Sequence, residues 1–537
     1  MLARARALTL ATQSTFATFA TLATLAALAL VAALGGLGLG ACGEAAPGTT
    51  PEDAGLEARA ADSTGPDPSD AAVPPDAAAS DAGTVDAAVI DADAAPRPVP
   101  PLPWTDDPCA GVDAGADPFA DVVREYARQD DLAPPAKGGL VVVGSSTIRR
   151  WRSAARVLSA HDPLQRGVGG ARMVDLAAHA EALVLRHGPA GVLLFAGTND
   201  LAGGSSPRAV IDAYRCFATR LHARRPGAPL LYVGITPTPA RWAGWASAAL
   251  VNQEIARLAT THPSLRYIDS PAAFLAAATA GEPPPARLFV ADGLHLSAEG
   301  YALFESTVLP AVAAALPSSR LPLPAPPTPG TLVRVDLGPS NPLDGTPAPA
   351  IDAFGIRWNS WHAVDGGQQV HAGEALRRLR GTRGETTDVS LVITGGFRVN
   401  GLRNGGLVSP EASRLGTLAV PESTGDFFYS GDPDDAAGLA LEGLAPSGRY
   451  TLRLFASRAA ADERRTGFTV RGAGAARSAS VQTSGAGLGA GGAQANDREV
   501  TVLAGLTPDA RGRLFVDVDR WVGPFAYVNL LELQVDP

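Results

Sequence analysis

The sequence predicts an α/β domain built on a doubly wound parallel sheet, followed by an all-β sandwich of jelly-roll type. Three observations carry this expectation. Leu140–Val143 is a short, wholly apolar run bounded by glycines, as a strand buried on both faces requires. From Asp117 to Pro317 strand-like and helix-like stretches alternate, the pattern of a parallel sheet with crossover helices. Beyond the proline-rich stretch Leu321–Pro329 the apolar spacing falls to two: Val333, Val335 and Leu337 alternate with Arg334 and Asp336, and Leu531, Leu533 and Val535 with Glu532 and Gln534.

At 537 residues the chain is long enough for two domains plus non-globular sequence. Arg4 and Arg6 precede a long apolar and threonine-rich run that ends in Leu39-Gly40-Ala41-Cys42, which reads as an export signal. Small residues directly before a cysteine resemble a bacterial lipobox, so residues 1–42 are expected to be a lipoprotein signal peptide, with Cys42 lipidated. The run is also long enough for an uncleaved membrane-spanning helix. The position of Cys42 at its end favours the lipoprotein, held on a membrane by its anchor and facing the periplasm or the cell surface. Residues 43–103 are Ala, Asp, Pro, Gly and Ser with few large apolar side chains, the composition of a disordered tether. Two further cysteines, Cys109 and Cys216, either pair in the oxidising compartment that export implies or stay as separate buried thiols. The net charge of -10 argues against nucleic acid as a partner.

Gly144 lets the chain turn after the first strand and leaves Ser145 and Ser146 at a strand's carboxyl end and a helix N-terminus. Open α/β sheets bind their ligands there. A serine at that place is either a nucleophile or a helix cap. Met173, Leu176, Ala177, Ala180, Leu183 and Val184 follow helical spacing, and Val192–Phe195 is the next buried strand. Ser206-Pro207 opens a helix whose apolar face is Val210, Ile211, Tyr214, Phe217 and Leu221. Leu230–Ile235 reads as a strand, Ala246–Ala259 as a helix, Leu265–Ile268 as a strand, and Tyr301–Leu316 as a helix that Pro310 should interrupt. The α/β domain is expected over residues 117–318, the proline-rich linker over 319–329, stiff and extended, and the sandwich over 330–537, with turns such as Asn400-Gly401 and Asn404-Gly405.

Three more stretches fall where strand-to-helix loops should lie: Gly167-Val168-Gly169-Gly170, Gly197-Thr198-Asn199-Asp200, and Asp292-Gly293-Leu294-His295-Leu296-Ser297. Each alone is an ordinary turn. Together with Gly144–Trp151, GSSTIRRW, they resemble in order and spacing the four blocks of the SGNH, or GDSL-type, hydrolases. The resemblance covers Leu140 to Pro317. The GSSTIRRW block is similar to the GSSS form of platelet-activating-factor acetylhydrolase-like members, and Ile235–Trp242, ITPTPARW, resembles a stretch of that subgroup. The resemblance implies a flavodoxin-like α/β/α domain with Ser146 as nucleophile, Asp292 and His295 as its partners, and Gly170 and Asn199 as the glycine and asparagine of the middle blocks. Ser145 takes the place of the aspartate in the GDS form, and Gln165 stands where the second block usually opens with Asn.

The chemistry explains these residue types. A serine hydroxyl is a weak nucleophile until a base takes its proton, and histidine changes charge near neutrality. An aspartate three residues earlier can fix the imidazole tautomer. The oxyanion is expected to lie against the backbone N–H groups of Ser146 and Gly170 and the side-chain amide of Asn199. Of the eight histidines only His295 has an acid at this spacing in such a loop. Ser145, Thr198, Arg241 and Trp242 are candidates for the substrate pocket; Arg241, Trp242 and Trp245 read equally as a loop packed on the domain. No Cys/His cluster has metal-ligand spacing, so neither a metal nor another cofactor is expected. Trp358 and Trp361 are either a sugar-stacking platform or core residues, and a glycan-binding role for the sandwich rests on analogy. The expected function is an exported serine esterase acting on acetyl or short-acyl esters of carbohydrates. The alternatives are a lysophospholipase or platelet-activating-factor acetylhydrolase-like lipase, and a catalytically idle glycan-binding surface lipoprotein.

Overall fold

Five parallel strands form the first sheet: β1 (Leu140–Gly144), β2 (Leu164–Gly167), β3 (Gly191–Phe195), β4 (Leu230–Val233) and β5 (Leu265–Ile268), in the order β2-β1-β3-β4-β5. This is the flavodoxin-like order, with its switch point between β1 and β3. Gly144 of β1 pairs with Phe195 of β3, so the two loops that leave the switch point start side by side. The computed structural model describes residues 99–112, 117–319, 321–339, 341, 343–363, 369–431, 437–489 and 494–537. Cys42, the expected signal peptide and nearly all of the expected tether lie outside the described residues.

Helices cover both faces: α1 (Ala120–Leu132), α2 (Ser146–Arg150), α3 (Met173–Ala178), α4 (Thr198–Ala202), α5 (Pro207–Arg224), α6 (Trp245–Ala259), α7 (Ser270–Ala276) and α8 (Ala298–Ala315). Alternate residues of each strand serve alternate faces. Val141, Val143, Val192 and Leu194 pack on Tyr126, Leu176, Phe217 and Ile255 of α1, α3, α5 and α6. Leu140, Val142, Leu193 and Phe195 pack on Ile148, Phe274, Phe304 and Val308 of α2, α7 and α8. Helix α8 runs through Pro310 without a break. Pro310 and Ser306, whose carbonyl it leaves without its usual partner, are both exposed, so that carbonyl can face water. Cys109 and Cys216 form a disulfide between the segment before α1 and the middle of α5.

The remaining strands form a sandwich. A six-stranded sheet has the order Arg477–Ser484, Arg464–Arg471, Leu514–Val522, Ala437–Glu442, Ser390–Gly395, Ala375–Leu376. A five-stranded sheet has the order Thr501–Leu506, Tyr450–Phe455, Leu530–Val535, Leu332–Pro339, Asn359–Ala363, and a smaller sheet joins Ala526–Val528, Phe427–Ser430, Phe397–Asn400 and Gln369–Val370. Neighbours are antiparallel except Leu332–Pro339 with Asn359–Ala363. One apolar core runs between the sheets, from Val335 and Leu533 to Leu439 and Val516. Trp361 is buried in it against Phe428, and Trp358 is buried with its Nε1 donating to Asp352 at 2.8 Å. The two tryptophans are therefore core residues and cannot be a sugar-stacking platform.

The sandwich is joined closely to the α/β domain. Arg166 of β2 makes a bidentate pair with Asp130 of α1 at 2.7 and 2.8 Å, and its other terminal nitrogen donates to the carbonyl of Gly373 at 2.9 Å. Tyr126 donates to Ala372 O at 2.8 Å, and Gln129 accepts from Ala375 N at 2.8 Å. Gly373 lies so near β2, at φ +93, that a Cβ there would overlap the Gln165 carbonyl oxygen. Among its described residues the linker carries no helix or strand, and it is tied down: Leu321 O accepts from Arg511 and Ala325 N donates to Asp388.

Candidate active site

The switch point places the four loops together. Helix α2 begins at Ser146, and Ser145 before it makes no side-chain capping bond, so neither serine is present merely to cap the helix. Ser297, by contrast, does cap α8, accepting from Gly300 N at 3.1 Å while donating to Arg287 O at 2.6 Å. That anchor fixes the loop two residues after His295. A bond from Val290 N to His295 O at 2.9 Å fixes the other side.

His295 Nε2 lies 2.9 Å from Ser146 Oγ, and Nδ1 lies 2.6 Å from Asp292 Oδ2. Asp292 Oδ1 accepts the backbone N–H groups of Leu294 and His295 at 2.8 and 2.9 Å. With Nδ1–H given to Asp292, Nε2 is left to accept the serine proton. Partial burial works to raise the Asp292 pKa, but the bonds from the His295 ring and the two backbone N–H groups outweigh it and hold the carboxyl down at about 2. The acid of the chain is thus an anion at any working pH.

The middle loops interlock. Asn199 Nδ2 donates to Ala171 O at 3.0 Å, which leaves its second N–H for a ligand. Gly170 has φ +84, a conformation that suits glycine, and it is exposed. Asp200, 2% exposed, accepts Met173 N through both oxygens. Its pKa is raised by burial, which exceeds the effect of the backbone donors.

A cavity of about 20 Å³ opens at Ser146 and His295, lined also by Ser145, Thr198, Asn199, Thr236 and Thr238. The two threonines are buried, and their hydroxyls have no hydrogen-bond partner among the described residues. Sequence reasoning passed over them: both lie within ITPTPARW, but a threonine hydroxyl has no spacing signature. Gly170, Arg241 and Trp242 do not line this cavity. Arg241 is exposed on the turn Pro239–Gly244, which hangs from the His295 loop by a bond from Ala240 N to Gly293 O at 3.0 Å. Trp242 stacks on Trp245, with ring planes 4° apart and centroids at 6.3 Å. No group of three or more His, Cys, Asp or Glu side chains able to hold a metal occurs among the described residues.

Residues 141–303 match the model of the GDSL-like lipase/acylhydrolase family. No curated protein matches the chain. Among solved structures the chain is similar to a GDSL-like lipase from Bacteroides thetaiotaomicron at 20% identity, covering 37% of this chain and 100% of that one, with a TM-score of 0.32. It is similar to a family 3 carbohydrate esterase from Talaromyces cellulolyticus at 19% identity, covering 34% and 97%, with a TM-score of 0.28. It is also similar to a catalytic mutant of an acetylxylan esterase from Geobacillus stearothermophilus at 15% identity, covering 33% and 94%, with a TM-score of 0.29.

Proposed function

We propose, from the premise that residues 141–303 are a GDSL-like lipase/acylhydrolase domain, that this protein is a serine esterase removing acetyl or other short acyl groups from carbohydrate O-esters. The observation that carries the reading is the unbroken chain from Ser146 Oγ through His295 to Asp292. His295 takes the hydroxyl proton as Ser146 attacks the ester carbonyl, and returns it to the departing sugar oxygen. Water, deprotonated by the same ring, then attacks the acyl carbonyl, and the ring returns that proton to Ser146 Oγ as the acid leaves. Asp292 stabilises the imidazolium in both steps. The N–H groups of Ser146 and Gly170 and the free N–H of Asn199 receive the oxyanion.

The small cavity, about 20 Å³, supports a short acyl group over a long one. Thr236 and Thr238, whose hydroxyls have no hydrogen-bond partner among the described residues, line the same space. The carbohydrate part of the reading rests on the appended sandwich, and export with anchoring at Cys42 rests on the N-terminal sequence. A fluorophosphonate probe tests the chemistry: it should label the wild type and not Ser146→Ala. Folded wild type that resists the probe would leave only the glycan-binding reading. Release of acetate from acetylated xylan, set against fatty acid from lysophospholipid, tests the acyl length.

A further inference from the structure

On the other side of Leu296 from the catalytic cavity lies a groove of about 610 Å³ between the α/β domain and the sandwich. Leu296 lines both spaces. A second link is Tyr301, on the groove wall, whose hydroxyl donates at 2.8 Å to the carbonyl of Thr147, next to the nucleophile. The groove wall is therefore joined to the chain neighbours of both Ser146 and His295.

The groove is positive. Arg150, Arg152 and Arg156 come from the α/β side and Arg471 from the sandwich, against two carboxylates, Glu305 and Asp517. Both carboxylates are occupied. Glu305 accepts from Trp151 Nε1 at 2.8 Å and from the Ser153 hydroxyl. Asp517 takes Arg152 at 3.5 Å and Arg471 at 3.0 Å, and Asp519, just beyond the lining, takes Arg152 at 2.7 Å. Arg156 is exposed and has neither hydrogen bond nor ion pair among the described residues. With Asp519 counted, four arginines meet three carboxylates, an excess of positive charge in a chain whose net charge is -10. Such a cleft concentrates anions that the rest of the surface repels.

We infer that this groove binds a glycan chain bearing anionic groups, carboxylate or sulfate, and so selects acidic polysaccharides as the esters presented to Ser146. Lipid is the poorer match, because guanidinium, carboxylate and hydroxyl groups interrupt the walls where an alkyl chain would need continuous apolar surface. The inference rests on the esterase reading for what is cleaved, but not for what is bound.

Calorimetric titration of the whole protein separates the two. The probes are oligogalacturonate, a sulfated carrageenan oligosaccharide and neutral xylo-oligosaccharide of equal length. At least one anionic oligomer should bind about tenfold or more tightly than the neutral one, Arg156→Glu should weaken it by about tenfold, and added salt should weaken it further. Whichever anion binds names the source. Binding of the neutral oligomer equal to the anionic ones, no binding of either anion, or indifference to Arg156→Glu in a variant with wild-type thermal unfolding would overturn the inference. If the fluorophosphonate fails to label but oligogalacturonate still binds, the esterase reading falls and the groove stands. If labelling succeeds and no anion binds, only the groove falls.

Discussion

Asp200 accepts the backbone N–H of Met173 through both carboxylate oxygens, at 3.0 and 2.9 Å, and so locks the loop that carries Gly170 to the loop that carries Asn199. Asp200→Asn offers that N–H one oxygen and one amide, and the lock loosens. Turnover of p-nitrophenyl acetate is expected to fall by roughly 10- to 100-fold with KM nearly unchanged, because displaced donors cost rate more than binding. Asp200→Ala should in addition lose about 1 to 3 kcal/mol in urea unfolding, from the buried donor left without a partner. Wild-type kcat in Asp200→Asn would show that the lock is not needed.

Asn199→Ala removes a side-chain amide from the cavity lining and the bond to Ala171 O. Loss of an oxyanion donor predicts a fall in kcat of about 10²- to 10³-fold with the circular dichroism spectrum unchanged. Gly170→Ala acts differently. The nearest atoms to the new Cβ are ring carbons of Phe119 at 3.8 Å, so the cost comes from φ +84 and not from a clash. Stability should fall by about 1 kcal/mol, and activity with it as the N–H turns away.

His187 gives the fold a pH dependence of its own. It is buried, with Nε2 3.4 Å from Asp130. Burial, then the nearby Arg166, lowers its pKa from 6.5 to about 4. Between those values the unfolded chain binds the proton and the folded one does not, so stability is complete above pH 6.5 and is lost as pH falls toward 4. The loss is on the order of 3 kcal/mol. Urea midpoints at pH 7 and pH 4.5 should differ less in His187→Gln than in the wild type; parallel curves would contradict the assignment.

The Cys109–Cys216 bond closes a loop of sequence separation 107. Its removal as Cys109→Ser with Cys216→Ala should cost about 2 to 4 kcal/mol, read from the urea midpoint. Neither cysteine approaches the catalytic cavity, so fluorophosphonate labelling at 20 °C should survive in the double variant.

The four loops are legible in the sequence because they stand at strand ends, where short polar runs interrupt the apolar pattern. Strands β1 and β3 are legible because both of their faces are buried and both are apolar. Strand β2 is not, although three of its four residues are buried. Gln165 is buried because its amide reaches Ile148 O at 2.5 Å and Trp151 O at 3.3 Å, and Arg166 because of Asp130 and Gly373. Partners 36 and 207 residues away leave no local periodicity. Gln165, standing where the resemblance expects Asn, thus holds the carboxyl end of the nucleophile helix. Trp358, readable from its spacing as core or as platform, is fixed as core by Asp352 and by Arg334 over its ring at 5.4 Å.

Strand β2 is the edge of the parallel sheet. An open edge is a template on which another copy of the chain can add a strand. Here the turn at Ala372–Ala375 occupies that flank, with Gly373 pressed on the Gln165 carbonyl and the Arg166–Asp130 pair sealed beneath it. Removal of the sandwich is therefore expected to promote self-association of the α/β domain, whatever ligand the sandwich holds. A chain ended after Pro317 would keep its catalytic residues yet uncover both the sheet edge and a buried charge. Its defect would then appear as oligomers in solution before it appeared as lost turnover.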